Sequence, residues 1–165
     1  HDFHVHIHHR KELENYLLDA TVIARAVEVR LAEKARRSGE AKPTSPDVNA
    51  ILQEAIEEVR HHTFAQIQAR EAEYRRRKAP HLDQATITAD ISKRFDAEWS
   101  STVGRLSLVP GKDVLAKVNA RLQALIGVSV SDGQIAQQIK ASEIHPDIRA
   151  LVETIAAFCK AAAPE

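Results

Sequence analysis

Two carboxylates with a single residue between them, Glu12 and Glu14, follow a run in which His4, His6 and His8 alternate with Phe3, Val5 and Ile7. Acidic side chains just past the end of a strand can hold a divalent cation for phosphodiester chemistry, because backbone geometry fixes hard oxygen donors there. The plainer alternative makes both glutamates solvated first-turn residues, favoured by a helix dipole. The histidines on one strand face can chelate Zn²⁺ or Ni²⁺. No cysteine stands inside that run, and His1 and His9 add to its polarity, so a solvated strand face is the competing reading. A third cluster is basic: in REAEYRRRK, Arg70, Arg75, Arg76, Arg77 and Lys78 outnumber Glu71 and Glu73. Such a run can grip nucleic-acid phosphates, or simply end a helix where positive charge suits the dipole.

These residues need elements to position them. The period-two alternation of residues 1–9 predicts a strand with one buried face. A lone strand leaves its backbone groups unpaired, so it is expected to close a sheet whose other members lie upstream. RKELENYLL then predicts a helical turn. Asp19 is a candidate N-cap for a helix carrying Val22, Ile23, Ala26, Val27, Val29 and Leu31, with Gly39 as its stop. Residues 38–46 read as a loop. Ser45 and Pro46 then predict the start of a long helix over 46–78, with a seam of Val48, Leu52, Ala55, Val59, Thr63, Ile67 and Tyr74. Ile87, Ile91, Phe95 and Trp99 recur every four residues and predict an antiparallel partner, giving a hairpin over 46–100. Leu106, Leu108 and Val109 before Pro110 read as extended or as a tight connector. A helix is expected over 113–126, stopped by Gly127. A short one capped by Ser131 or Asp132 is expected to run to Lys140. A last one starts at Pro146 with Ile148, Leu151, Val152, Ile155 and Phe158 turned inward, completing a small bundle over 111–163.

The composition fits a mainly α fold. Only 5 of the 165 residues are glycine, which disfavours a self-contained sheet rich in turns. The 23 basic and 23 acidic residues cancel, which excludes nucleic-acid binding by bulk charge but leaves room for a local patch. A single cysteine, Cys159, excludes an internal disulfide framework and a cysteine-rich zinc module, and points to a reducing, cytoplasmic setting. No apolar run reaches the ~20 residues needed to span a bilayer. The sequence holds no methionine, so His1 is not an ordinary translation start and the chain reads as a fragment or processed product.

The segment HVHIHHRKELENYLLD, residues 4–19, resembles the closing part of the Toprim domain in ATP-dependent nucleases of the overcoming-lysogenization-defect (OLD) family. There a strand runs into an Arg-(Arg/Lys)-Glu-aliphatic-Glu-Asn-Tyr-Leu turn, standing here as Arg10 to Leu17. LVPGKDVLAKVNARLQALIGVSVS, residues 108–131, is similar to the family's C-terminal helical portion, and EIHPDIRALVE to its closing helix. The resemblance touches both ends of the chain and is weakest over 38–100.

The resemblance implies that residues 1–19 end a Toprim domain and that 20–165 form a helical appendage. It implies a two-metal, Mg²⁺-dependent centre that cuts DNA, with an ATP-binding ABC-type domain upstream and a role in anti-phage defence or DNA processing. Carried over by residue, Glu14 matches the glutamate of the Glu-Asn-Tyr step and is a metal-proximal carboxylate, with Glu12 second as metal ligand or catalytic group. Lys112 matches a late lysine that reaches back to the scissile phosphate. Arg75, Arg76, Arg77 and Lys78 are the candidate DNA contacts. DNA and a second copy of the chain are the expected partners, and no membrane. The chain itself lacks an Asp-x-Asp pair, a Glu-Gly-x-x-Asp loop and a Gly-x-x-x-x-Gly-Lys phosphate loop, so no hydrolysis is expected from it alone. The alternative from another class is a non-catalytic helical module that dimerises or binds a protein through the long hairpin.

Overall fold

The structure, a computed structural model, describes residues 10–161. Among the described residues 77% are helical, in eight α-helices and short 3₁₀ turns with no strand, so the mainly α expectation holds. The expected N-terminal strand falls on residues 1–9, outside the described residues.

A short 3₁₀ turn, Leu13–Leu17, precedes α1, Ala20–Ser38. Asp19 caps α1 as expected, its carboxylate accepting from the amides of Thr21 at 2.8 Å and Val22 at 3.0 Å. Gly39 ends it in the left-handed region at φ 73°. α2 spans Val48–Glu58 and α3 Arg60–Lys78. The single helix expected over 46–78 is therefore two. It starts later because Asp47, rather than Ser45, supplies the capping carboxylate, 3.0 Å from the Ala50 amide. It breaks at Val59, whose amide reaches back to the Ile56 carbonyl at 3.2 Å and tightens the turn. That lets α2 stay in the main core while α3 leaves it to pair with α4, Gln84–Trp99.

The α3–α4 hairpin is antiparallel, as the ion pairs Arg60–Asp96 and Arg75–Asp90 record. Ala72, Ile87 and Ile91 form its own small core, joined by Phe64 and Ile67. Phe95 stacks on Trp99 at 5.1 Å and carries the packing into the main core. Tyr74, placed in the seam by its spacing, is instead exposed near the arm's end.

The main core lies between α1, α2 and α6, Gly111–Ile126. Val22, Ile23, Val27 and Leu31 meet Ile51, Leu52, Ala55 and Ile56, and Val114, Val118 and Leu122 close the third side. Val29 of α1 and Leu125 of α6 face solvent. After Gly127, at φ 64°, the chain returns along α6. The Asn119 carboxamide fastens this return strip by accepting from the Val130 amide at 2.8 Å and donating to its carbonyl at 2.9 Å. Ser131 and Gln134 cap α7, Asp132–Ala136, reciprocally; the helix stops there rather than at Lys140.

Two other expectations are corrected. Leu106 and Leu108 are helical, in α5, Thr102–Leu108, because Ser101 Oγ accepts from the Gly104 amide and caps that helix. Only Val109 is extended, as a residue before proline must be. The last helix, α8, Pro146–Ala161, starts where expected, but Val152, Ile155 and Phe158 are exposed rather than inward. Its first turns alone touch the body, with Ile148 and Leu151 half-buried.

Candidate functional site

The acidic turn docks on the corner between α5 and α6. Lys11 donates its amide to the Ser107 carbonyl at 3.3 Å. Asn15 is fully buried, and its Nδ2 donates to the carbonyls of Leu106 at 2.7 Å and Val109 at 2.9 Å. Gly111, the first residue of α6, lies directly against this turn: a Cβ there would fall on Asn15 Oδ1 and only 2.8 Å from the Asn15 amide nitrogen.

This docking assembles three candidate residues. The Lys112 ammonium is 3.5 Å from Glu14 Oε1, and the Lys112 amide donates to Glu12 Oε2 at 3.2 Å. Lys112 sits in the first turn of α6, where the helix dipole adds positive charge to its own. Both carboxylates answer that charge, Glu12 at the backbone and Glu14 at the side chain. The lysine side chain is 72% exposed and Glu14 21%, so the pair opens to solvent and its ammonium can reach a ligand.

Glu14 also borders a groove of about 730 Å³ between the acidic turn, α7 and α8, lined in part by Leu13, Tyr16, Ile139 and Ile148. On that side Tyr16 donates a hydrogen bond to the buried Asp147, and its ring meets the His145 ring edge-on at 5.0 Å. The Arg10 guanidinium lies over the same ring at 4.9 Å and donates to the Asn15 carbonyl. Burial pushes the Tyr16 hydroxyl above its usual range, and its bond to Asp147 adds to the shift. This network ties α8 to the acidic turn. The sequence carries no local signal for it, since Tyr16 and Asp147 are 131 positions apart.

The basic run lies elsewhere. Lys11 Nζ donates to Gln66 Oε1 at 2.7 Å, which fixes the middle of α3 beside the acidic turn. At ~1.5 Å per residue, Arg75 is roughly 14 Å further along the helix. Arg75 pairs with Asp90 and Glu71, Arg77 with Glu73, and Arg76 bonds the Ala72 carbonyl. Lys78 ends α3, exposed. The alternating histidines fall outside the described residues.

Glu12 and Glu14 offer the hard oxygen donors that Mg²⁺ takes. Among the described residues no group of three or more His, Cys, Asp or Glu side chains is arranged to hold a metal ion. The donors are of the right kind, but these two carboxylates do not by themselves make a metal site. The sequence holds no Gly-x-x-x-x-Gly-Lys motif for ATP.

No protein-family model, no curated protein and no solved structure matches this chain. No described helix is long and apolar enough to cross a membrane.

Proposed function

We propose that this chain is the C-terminal segment of an ATP-dependent, Mg²⁺-dependent DNA nuclease of the OLD type, acting in the cytoplasm in anti-phage defence or DNA processing. The observation that supports it is the approach of Lys112 to Glu14 and Glu12 across a hundred residues of intervening helix. Those are the residues that the family resemblance singles out. Glu14 and Glu12 would supply part of a Mg²⁺ ligand set, the rest coming from Toprim acids outside this chain. When bound, the cation would polarise a phosphoryl oxygen. Lys112 would hold its ammonium against the scissile phosphate and stabilise charge developing on the oxygens. Arg75, Arg76, Arg77 and Lys78 would meet the DNA backbone further along the arm, and a second copy of the chain would complete the assembly.

The test uses the polypeptide that joins this chain to those acids and to an ATP-binding loop. Glu14→Gln keeps the shape and removes the charge, so DNA cleavage should vanish while ATP hydrolysis continues at the wild-type rate. Full cleavage by that variant removes the metal assignment. A coding sequence before His1 that lacks those motifs removes the nuclease reading altogether.

One observation favours the second reading, a non-catalytic helical module that binds a protein or its own copy. Val152, Ile155 and Phe158 recur every three residues along one side of α8, and Phe158 is 67% exposed. On this reading Ile155→Glu and Phe158→Glu would lower the mass measured by light scattering to that of a monomer without loss of helix content.

A further inference from the structure

Asn15 is not a member of the Lys112–Glu14 ion pair, yet it occupies the point on which that arrangement turns. Its side chain is 0% exposed. Both hydrogens of its carboxamide are used, one on the Leu106 carbonyl and one on the Val109 carbonyl. These carbonyls lie at the C-terminal end of α5, where no further helical amide continues the ladder. Pro110 follows and has no N–H to offer. A carboxamide is therefore the side chain this place demands: a two-hydrogen donor of short reach. A leucine would fill the space and leave both carbonyls without that donor. An aspartate would set a buried carboxylate against them.

Gly111 completes the contact from the other side. A Cβ there would stand 2.8 Å from the Asn15 amide nitrogen and 3.0 Å from the Glu14 carbonyl carbon, so the acidic turn could not lie where it does. Among the described residues Asn15 Oδ1 has no hydrogen-bond partner and rests against this glycine. Lys112 follows Gly111 directly, and Glu14 precedes Asn15 directly. The two contacting residues thus carry the two ends of the ion pair as their chain neighbours.

We propose that Asn15 is a positioning residue, locked against Gly111, that sets Glu12 and Glu14 in register with Lys112. The geometry of this latch stands by itself; its consequence for catalysis rests on the nuclease reading above.

The experiment is amide NMR and hydrogen exchange on the whole 165-residue chain, without metal. The reporter is the Lys112 amide, whose bond to Glu12 gives it a resonance that Glu12→Gln should displace. Asn15→Leu and Gly111→Ala should each move that resonance toward its Glu12→Gln position and speed its exchange about tenfold. The amides of Val27 and Ala55, in the main core, should keep wild-type protection. A Lys112 amide with unchanged shift and protection in both variants overturns the proposal. So does equal loss of protection in the core, or loss of the fold in both, which would make Asn15 a general folding residue. In the nuclease, Gly111→Ala should lower kcat with KM for DNA unchanged. Cleavage that survives Glu14→Gln removes the metal assignment, and a coding sequence before His1 without Toprim acids removes the nuclease reading; both leave the amide measurements as they stand.

Discussion

Lys112 and Glu14 stand 3.5 Å apart, ammonium to carboxylate, on elements far apart in the sequence. An exposed pair of this kind contributes only ~0–1 kcal/mol to stability, because water screens it and two long side chains must be held still. Its removal should accordingly leave the fold intact. In the nuclease, Lys112→Ala should lower cleavage by about 10²–10³-fold, the cost of losing one fixed donor to a developing charge. DNA affinity should fall far less, and the thermal midpoint should stay within a degree or two of wild type. Parallel losses of affinity and cleavage would make Lys112 an ordinary phosphate contact.

The α3–α4 arm carries its own small core, and Ile91 is fully buried in it. Ile91→Ala should cost ~2–5 kcal/mol by lost transfer energy and cavity formation. The loss should be local. Hydrogen exchange should rise across α3 and α4 while the amides of α1 and α6 keep their protection, because those helices pack on Ile23, Val118 and Leu122 instead. Uniform loss of protection would show that arm and body unfold as one unit.

What could be read in advance was local chemistry. Asp19, Gly39, Gly127, Ser131 and Pro146 each act within a few residues of themselves, and each marks a helix end where the sequence places one. The break at Val59 has no glycine or proline to announce it, because α3 turns away to bury Ala72 against Ile87 and Ile91. The α8 stripe shows the other limit. Periodicity marks a face as apolar but says nothing of what meets it, and Val152, Ile155 and Phe158 meet solvent. At the site, Glu12 and Glu14 stood out by resemblance to a family turn, and Lys112 by resemblance to a later helical stretch. Asn15 did not stand out by its chemistry, because the carbonyls it serves lie 91 and 94 positions later.

Gly39 and Gly127 both end helices at positive φ, but their surroundings differ. Nothing lies within 4 Å of a Cβ built on Gly39. A Cβ on Gly127 would fall 2.7 Å from Lys34 Nζ, which donates to the Ile126 carbonyl at 2.9 Å and closes α6. Gly39→Ala should therefore cost only the backbone strain, ~1–2 kcal/mol. Gly127→Ala should cost more by the weakened lysine cap, about 1 kcal/mol further. Urea midpoints of the two variants check the order. In a Lys34→Ala background the difference between them should vanish.

Glu58, at the end of α2, takes both Lys117 and Arg121 from α6, and Arg121 also reaches Glu54 at 3.3 Å. The hydrogen bond from Lys117, then that from Arg121, hold its carboxyl below the ordinary value of 4.5. The unfolded chain therefore binds this proton more readily than the native one. The pair's contribution is fully present above pH 4.5 and is lost as pH falls through the lower native value. Glu58→Gln removes that dependence. Thermal midpoints of wild type and variant should differ near pH 7 and converge as the solution is acidified below the ordinary glutamate range. A gap that stays constant down to the acid limb would show that Glu58 acts by packing and not by its charge. High salt at neutral pH should narrow the gap as acid does, because the carboxylate is exposed and ions screen it.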